Sequence, residues 1–123
     1  MIYDEIPKTD RLLAEKVLGW TRETPKGRIS NKQWYNRNGR HMGFFSQFRF
    51  SKSLDDCKYL LDAIEERFGS FILTKDYKGP YRFKIISWNN GGYDVIAEEV
   101  DDTKAGVIIK AALEAWNIKE AAE

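Results

Sequence analysis

The chain has 123 residues and a formal net charge of +1, with 42% hydrophobic and 32% charged side chains, which is a normal balance for one globular domain. No apolar run approaches the roughly 20 residues of a membrane helix, and the acidic residues 1–5 lack the basic start of a signal peptide. A single cysteine, Cys57, excludes an internal disulfide, so we expect one cytoplasmic domain over residues 1–123, with its core at about 10–116 and no membrane association.

The first predicted element is a helix that begins at Thr9, as its N-cap, and ends at Gly19. Leu13, Val17 and Trp20 share one side of it, because they are spaced i, i+4, i+7. A polar connector with Pro25 and Gly27 follows.

Asn38-Gly39 predicts a tight hairpin turn between strands at 33–35 and 41–45, since both central residues of such a turn need positive φ. Residues 48–50 are expected to continue extended. Ser53 and Asp56 then form an imperfect capping box for a second helix that ends at Gly69. Its apolar stripe consists of Leu54, Cys57, Leu61, Ile64 and Phe68.

Three strands are predicted next, at 70–77, 81–88 and 93–100, separated by turn sequences at 78–80 and 89–92. Asp102 or Thr103 caps a last helix that ends near Trp116, and residues 118–123 are expected to be a frayed tail. Short links between strands favour antiparallel pairing. The fold class is therefore α+β: an antiparallel sheet, made of a hairpin and a three-strand meander, covered by three helices.

The sequence gives little support for a catalytic site or a metal site. His41 is the sole histidine, and Cys57 lies on the apolar stripe, so a packed thiol is favoured over a reactive one. The chain has no zinc-ligand cluster and no phosphate-binding glycine motif. The acidic residues at 98–99 and 101–102 could hold a divalent ion. A solvated strand end and a helix cap explain them better, because acids at a helix N-terminus already have a local role. We expect that the protein is not an enzyme and uses no cofactor. A hydrolase with a pair of catalytic carboxylates stays open as an alternative, because such pairs have no characteristic spacing in a sequence.

Residues 20–50 favour anion binding, because they interleave arginines with aromatic residues. From Arg22 to Lys52 the chain carries eight Lys or Arg against one acid. Arginine matches phosphate oxygens in two-point contacts, and aromatic faces stack on bases for about 1–3 kcal/mol each. The alternative is that the aromatics fill the core and the arginines cover the surface. Candidate ligand-binding residues here are Trp20, Arg22, Arg28 and Arg40.

Residues 81–93 contain a second candidate. Strand alternation places Phe83 on one face and Trp88 on the other, and Trp88 leads into Asn89-Asn90 beside two glycines. Asparagines in such a turn can present amide donors to a ribose or a base edge. The alternative is a plain hairpin turn. Candidate residues here are Phe83, Trp88, Asn89 and Asn90.

Several local patterns, in this order, resemble the phage ABA sandwich domain family over about residues 10–116. They are residues 13–20 (LAEKVLGW), Trp34-Tyr35, residues 50–56 (FSKSLDD) and the alanine-rich segment from Thr103 to Ala115. A further resemblance is to the phage anti-Thoeris sponges, which trap cyclic ADP-ribose signals without cleaving them. That resemblance implies an aromatic residue on the adenine, with arginine and asparagine on phosphates and riboses. Trp20, Arg28, Phe83 and Asn90 match these roles best.

The sequence is compatible with two functions. The first is a phage-encoded immune-evasion protein that sequesters a cyclic ADP-ribose-type nucleotide. The second is a phage accessory or structural protein that binds nucleic acid or a protein partner. We also expect a homo-oligomer, at least a dimer, because 14% aromatic residues in a short chain leave apolar surface to cover. The family likeness implies the same.

Overall fold

The computed structural model describes residues 3–118, apart from the side chain of Asp4. Its described residues form three α-helices and two antiparallel sheets, which confirms the expected α+β fold. In chain order the elements are a 3-10 turn (Tyr3–Glu5), α1 (Lys8–Leu12) continued by a π-helix (Leu13–Val17), β1 (Gln33–Tyr35), β2 (His41–Phe44), a 3-10 turn (Phe45–Gln47), α2 (Cys57–Phe68), β3 (Ser70–Lys75), β4 (Tyr81–Asn89), β5 (Gly92–Asp101) and α3 (Lys104–Ala115).

The hairpin and the meander form two separate sheets. β1 pairs with β2, and β4 lies between β3 and β5. The chain leaves β2 through a 3-10 turn, so residues 48–50 do not continue the strand. Phe48 is extended as expected, at φ −118° and ψ 107°, and Phe50 lies in a turn. In β5 the partners step from Ala97 to Val95, so Ile96 is the extra residue of a β-bulge.

The first helix differs from the sequence prediction at its start. It begins at Lys8 after Pro7, so Thr9 lies inside the helix and does not cap it. Asp10 is buried in the first turn, where its carboxylate accepts hydrogen bonds from the backbone N–H and the hydroxyl of Ser51 at 3.1 and 3.3 Å. This pair ties the helix to the segment before α2.

The start of α2 also differs from the prediction. Only half of the expected capping box forms: the Ser53 hydroxyl accepts from the backbone N–H of Asp56 at 3.4 Å. The Asp56 carboxylate does not complete the box, because it accepts from the backbone N–H of Arg49 at 2.8 Å, and α2 begins at Cys57. Leu54 therefore lies before the helix and is 48% exposed. The thiol of Cys57 is fully buried, and it donates to the carbonyl of Phe50 at 3.4 Å.

α3 begins as predicted, because the Thr103 hydroxyl accepts from the backbone N–H of Gly106 at 2.9 Å. After the helix, Ile118 packs against the core and is not frayed. The rest of the predicted tail, residues 119–123, lies outside the described residues.

One hydrophobic core joins residues from every described element except α1. Helices α2 and α3 pack on the inner face of the meander, from which Phe83, Ile85 and Ala97 project into the core. The hairpin side of the core is aromatic and centres on Trp20. Its ring lies 6.5, 4.8, 6.2 and 5.4 Å from the rings of Trp34, Phe48, Phe50 and Tyr59.

Candidate functional site

The connector before β1 folds into a small hairpin, which we call the connector turn (residues 24–28). Thr24 donates its N–H to the carbonyl of Arg28 at 2.7 Å, and Gly27 donates to the carbonyl of Thr24 at 2.9 Å. The N–H of Arg28 also donates to the Thr24 hydroxyl at 3.2 Å. Gly27 has φ +83°, which a glycine adopts without strain. Arg28 is therefore held at the base of an ordered turn.

The β1–β2 loop, which we call the hairpin turn (residues 36–40), repeats this geometry. Gly39 donates to the carbonyl of Asn36 at 3.0 Å, and the Asn36 side-chain oxygen accepts from the N–H groups of Asn38 and Arg40, both at 2.9 Å. Gly39 has φ +79°, whereas Asn38 does not have positive φ. The predicted two-residue turn is therefore wrong, and the loop is the three-residue type that ends in a left-handed glycine.

The two turns pack side by side. A Cβ atom placed on Gly39 would lie 3.5 Å from Cγ of Pro25, so the backbone of the hairpin turn lies close to the proline ring. Beside this contact is a cavity of about 460 Å³, lined by Thr24, Pro25, Lys26, Arg28 and Tyr35. We call it the connector cavity, and its volume falls in the range of small-molecule sites.

Aromatic rings continue outward from the connector cavity along the β1–β2 hairpin. The ring of His41 lies edge-on to that of Tyr35 at 5.5 Å, and the ring of Phe44 lies 6.3 Å beyond it. Phe44 is 45% exposed. The Tyr35 hydroxyl donates to Gln33 at 3.2 Å, which fixes its ring. Cations and open aromatic surface therefore adjoin each other here.

Of the four residues predicted in the basic stretch, the structure places Arg28 in the cavity. Trp20 is 6% exposed and belongs to the core, so its predicted stacking on a ligand is corrected to core packing. The guanidinium of Arg22 lies over the ring of Tyr3, 3.8 Å from its centroid. Arg40 is exposed at the base of the hairpin turn but does not line the connector cavity.

The four residues predicted in the meander lie elsewhere. Phe83 is fully buried and stacks on Phe71 at 5.2 Å, so it has no face open to a ligand and its predicted role is corrected to core packing. Trp88 is 64% exposed. The side chain of Asn89 is engaged within its own hairpin, since its amide donates to Asp94 and its oxygen accepts from the N–H of Gly91, both at 2.9 Å.

Asn90 is exposed in the turn that joins β4 to β5. Phe83, Trp88, Asn89 and Asn90 are all absent from the lining of the connector cavity. The structure does not assemble the two predicted halves into one pocket.

The candidate ligand-binding residues predicted from the sequence do not include Lys26 and Tyr35. A usable signal existed for both. The run Thr24-Pro25-Lys26-Gly27 is a turn sequence with proline and glycine at favoured positions, which places Lys26 beside Arg28. Strand alternation in β1 directs Tyr35 away from the core, because its neighbour Trp34 is 1% exposed.

The thiol is poorly suited to nucleophilic chemistry. Burial, together with the charges of Asp56 and Asp10, raises the pKa of Cys57 to about 11, so its thiolate is scarce at neutral pH.

Carboxylates cluster at the junction of β5 with α3. A hydrogen bond with Glu114, reinforced by burial, raises the pKa of Glu99 to about 6. Nearby, the ammonium of Lys110 lies 2.8 Å from the Asp101 carboxylate. Among residues 3–118 no group of His, Cys, Asp and Glu is arranged to hold a metal ion.

No protein-family model, curated protein or solved structure matches this chain. The resemblance to the phage families therefore stays a prediction from short motifs. Within residues 3–118, no helix is both long and apolar enough to cross a bilayer.

Proposed function

We propose that the protein binds a small phosphorylated nucleotide in the connector cavity and sequesters it without cleavage. The observation that carries this proposal is the convergence of Lys26, Arg28 and Tyr35 on one cavity of about 460 Å³. A phage-encoded sponge for cyclic ADP-ribose signals, acting in the bacterial cytoplasm, is the specific function that the sequence resemblance implies. The cavity is consistent with that ligand class.

The charges support an anionic ligand. Lys26 and Arg28 are both exposed cations at the cavity, and the surrounding segment carries one acid, Glu23, against eight basic residues. A guanidinium engages two phosphate oxygens at once, whereas an ammonium acts as a point charge. Arg28 would therefore orient the phosphate, and Lys26 would add positive charge.

The aromatic rings support a base as the second half of the ligand. Tyr35 lines the cavity, and His41 and Phe44 continue its aromatic surface outward. A phosphate at Arg28 leaves a base free to stack on this surface. Each such stack contributes about 1–3 kcal/mol.

The lining itself supports binding without turnover. Its side chains are one hydroxyl, one proline ring, two cations and one phenol, with no carboxylate or thiol among them. Sequestration needs contacts that are tight and slow to release, and no general base. Because a sponge must compete with a host effector, we expect sub-micromolar affinity, which is roughly −8 kcal/mol of binding free energy or better.

A thermal-shift screen with cyclic ADP-ribose isomers, cyclic dinucleotides and short oligonucleotides tests the ligand class. We expect a rise in melting temperature with a nucleotide. The complex is then heated to denature the protein, and the released ligand is separated by chromatography. Intact ligand supports sequestration, and conversion to linear ADP-ribose makes the protein an enzyme.

A second function, binding of nucleic acid by an accessory protein, is favoured by one observation. Exposed cations continue along the hairpin beyond the cavity, at Lys32, Arg37 and Arg40, and this arrangement suits a phosphate backbone. Affinity for an oligonucleotide would then fall steeply with salt, because each neutralised phosphate releases counterions. A weak salt dependence with a mononucleotide supports the cavity.

A further inference from the structure

A second cavity lies between the starts of helices α2 and α3 and the end of strand β3. Its volume is about 470 Å³, which is in the range of small-molecule sites. Its lining includes Leu54, Lys58, Leu61, Leu73, Lys104 and Ile108. We call it the end cavity. It shares no lining residue with the connector cavity.

The aliphatic part of the lining comes from three different elements. Leu61 lies in α2, Leu73 in β3 and Ile108 in α3. Ile108 is buried in the core, and the two leucines are partly buried against it. Leu54, from the segment before α2, is exposed. An apolar wall therefore extends from the core to the solvent, and a hydrocarbon chain that covers it would be stabilised by the hydrophobic effect.

Each of the two helices also brings a lysine to the end cavity from its first turn. In α2, Lys58 precedes Leu61 by three residues, and in α3, Lys104 precedes Ile108 by four. Residues at these spacings lie on the same face of a helix. Each lysine is therefore one helical turn closer to the helix end than the aliphatic residue beside it.

Strand β3 repeats this arrangement. Lys75 follows Leu73 by two residues and therefore lies on the same side of the strand. The ammonium of Lys75 lies 5.4 Å from the centre of the Tyr81 ring, and that of Lys104 lies 5.8 Å from the same centre. Lys75 therefore adds a third cation beside the end cavity.

These three lysines keep their positive charge unpaired. Lys58, Lys75 and Lys104 are exposed, and none of them forms a salt bridge within residues 3–118. Asp55 is the one carboxylate of the lining. The exposed end of an aliphatic wall is thus cationic, with lysines in excess over acid.

We propose that the end cavity binds an aliphatic carboxylate, with its chain against the leucines and its carboxylate among the lysines. Ligand cavities of this size are mostly apolar, with a few charged groups that fix the orientation of the ligand. A charged head group pairs with the ammonium groups through charge-assisted hydrogen bonds. A nucleotide suits this cavity less well, because the lining has no aromatic ring on which a base could stack.

Calorimetry of the full chain with straight-chain carboxylates, from hexanoate to dodecanoate, tests the aliphatic wall. Each carboxylate is used at concentrations at which it is monomeric. We expect the affinity to rise by up to about fourfold for each added methylene, until the chain fills the cavity. An absence of binding, or an affinity that does not depend on chain length, overturns the proposal.

Decyltrimethylammonium tests the charge, because it joins the chain of decanoate to a cationic head group. We expect it to bind at least about tenfold more weakly than decanoate, since it cannot pair with the lysines. Equal affinity would mean that the chain adsorbs to apolar surface without recognition of its head group, and this result also overturns the proposal.

Lys104→Glu and Lys58→Glu test the assigned cations in the same measurement. Both residues are exposed in the first turn of a helix, where glutamate is favoured over lysine, so both variants should fold. Each should weaken decanoate binding at least about tenfold. The matched control is Lys16→Glu, which makes the same charge change at an exposed residue outside the lining and should leave the affinity unchanged.

A variant of the connector cavity separates this proposal from the proposed function. Arg28→Ala should leave decanoate binding unchanged, because Arg28 does not line the end cavity. Unchanged decanoate affinity in folded Lys104→Glu or folded Lys58→Glu overturns the present proposal, whatever the outcome of the nucleotide screen.

Discussion

The connector cavity contains one of the predicted ligand-binding residues, Arg28, and the β4–β5 hairpin tip (residues 88–93) contains three, Trp88, Asn89 and Asn90. The two regions differ in shape. Two tight turns pack against each other through Gly39 and Pro25, which leaves a concave space beside two cations. At the hairpin tip, the rings of Trp88 and Tyr93 meet edge-on at 5.4 Å on an open surface. A concave site with cations suits a small anion, whereas an open aromatic face suits a protein surface.

Each region also has one aromatic residue that belongs to the core. Trp20 lies beneath the hairpin side and Phe83 lies beneath the meander, at 6% and 0% exposure. Exposed aromatic residues occur in both regions, whereas an arginine, Arg28, lines only the connector cavity. The two regions therefore differ in backbone shape and in charge.

The largest expected effect is a difference in stability between variants of Trp20 and Trp88, the two tryptophans that were predicted to bind a ligand. Trp20→Ala removes a ring packed against four others and should lower the free energy of unfolding by about 3–5 kcal/mol. Trp88→Ala removes an exposed ring from a cross-strand pair and should cost less than about 1 kcal/mol. Chemical denaturation of both variants measures the difference. Equal losses would mean that Trp88 is as well packed as Trp20.

The next effect concerns ligand affinity. Arg28→Ala should weaken binding of the nucleotide found in the screen by about 1.5–3 kcal/mol, or roughly tenfold to more than a hundredfold, because a charge-assisted contact is lost. The melting temperature should barely change, since Arg28 is exposed. Calorimetry measures the affinity. Arg82→Ala is the matched control in the other region, and it should leave nucleotide affinity unchanged.

A different outcome would favour the second function. If alanine at Arg22, Arg28, Arg37 and Arg40 each causes a similar, small and salt-dependent loss, no single arginine dominates. The basic hairpin would then be a diffuse phosphate surface.

A smaller effect is expected in the core that the two regions share. Cys57→Ala should lower the free energy of unfolding by about 1–2 kcal/mol, because it opens a small void and removes the contact with the Phe50 carbonyl. Nucleotide affinity should stay the same. A folded variant that has lost all binding would instead assign the thiol a role in the site.

The smallest expected effect is a pH dependence at the junction of β5 with α3. Because the pKa of Glu99 is raised from 4.5 to about 6 in the folded protein, the folded state keeps a proton that the unfolded state has released. This stabilisation is complete below pH 4.5 and is lost as the pH rises through about 6.

Unfolding free energies measured across that range, in the unaltered protein and in Glu99→Gln, test this. The difference between the two curves should change with pH in that window. The lowered pKa of Asp101 acts in the opposite sense and is common to both proteins. Parallel curves would show that Glu99 does not bind a proton preferentially in the folded state.

Local sequence patterns were sufficient to predict much of the fold. The β4 strand, predicted at 81–88, extends over Tyr81–Asn89, and Thr103 caps α3 as expected. Strand alternation, turn sequences and caps depend on residues that are close together in the chain, so they can be predicted from a single sequence. Some of the predictions that proved wrong involve groups outside the local pattern. The Asp56 carboxylate does not complete its expected capping box, because it accepts from the backbone N–H of Arg49, seven positions away.

The same division applies to the candidate site. The sequence by itself determined the α+β order and the basic, aromatic character of residues 20–50, with Arg28 beside a turn. Only the tertiary structure decided that the connector turn meets the hairpin turn, that Tyr35 lines the resulting cavity, and that Trp20 and Phe83 are buried. The physical reason is that composition and periodicity depend on the local chain, whereas a cavity and a core depend on which separate segments pack together.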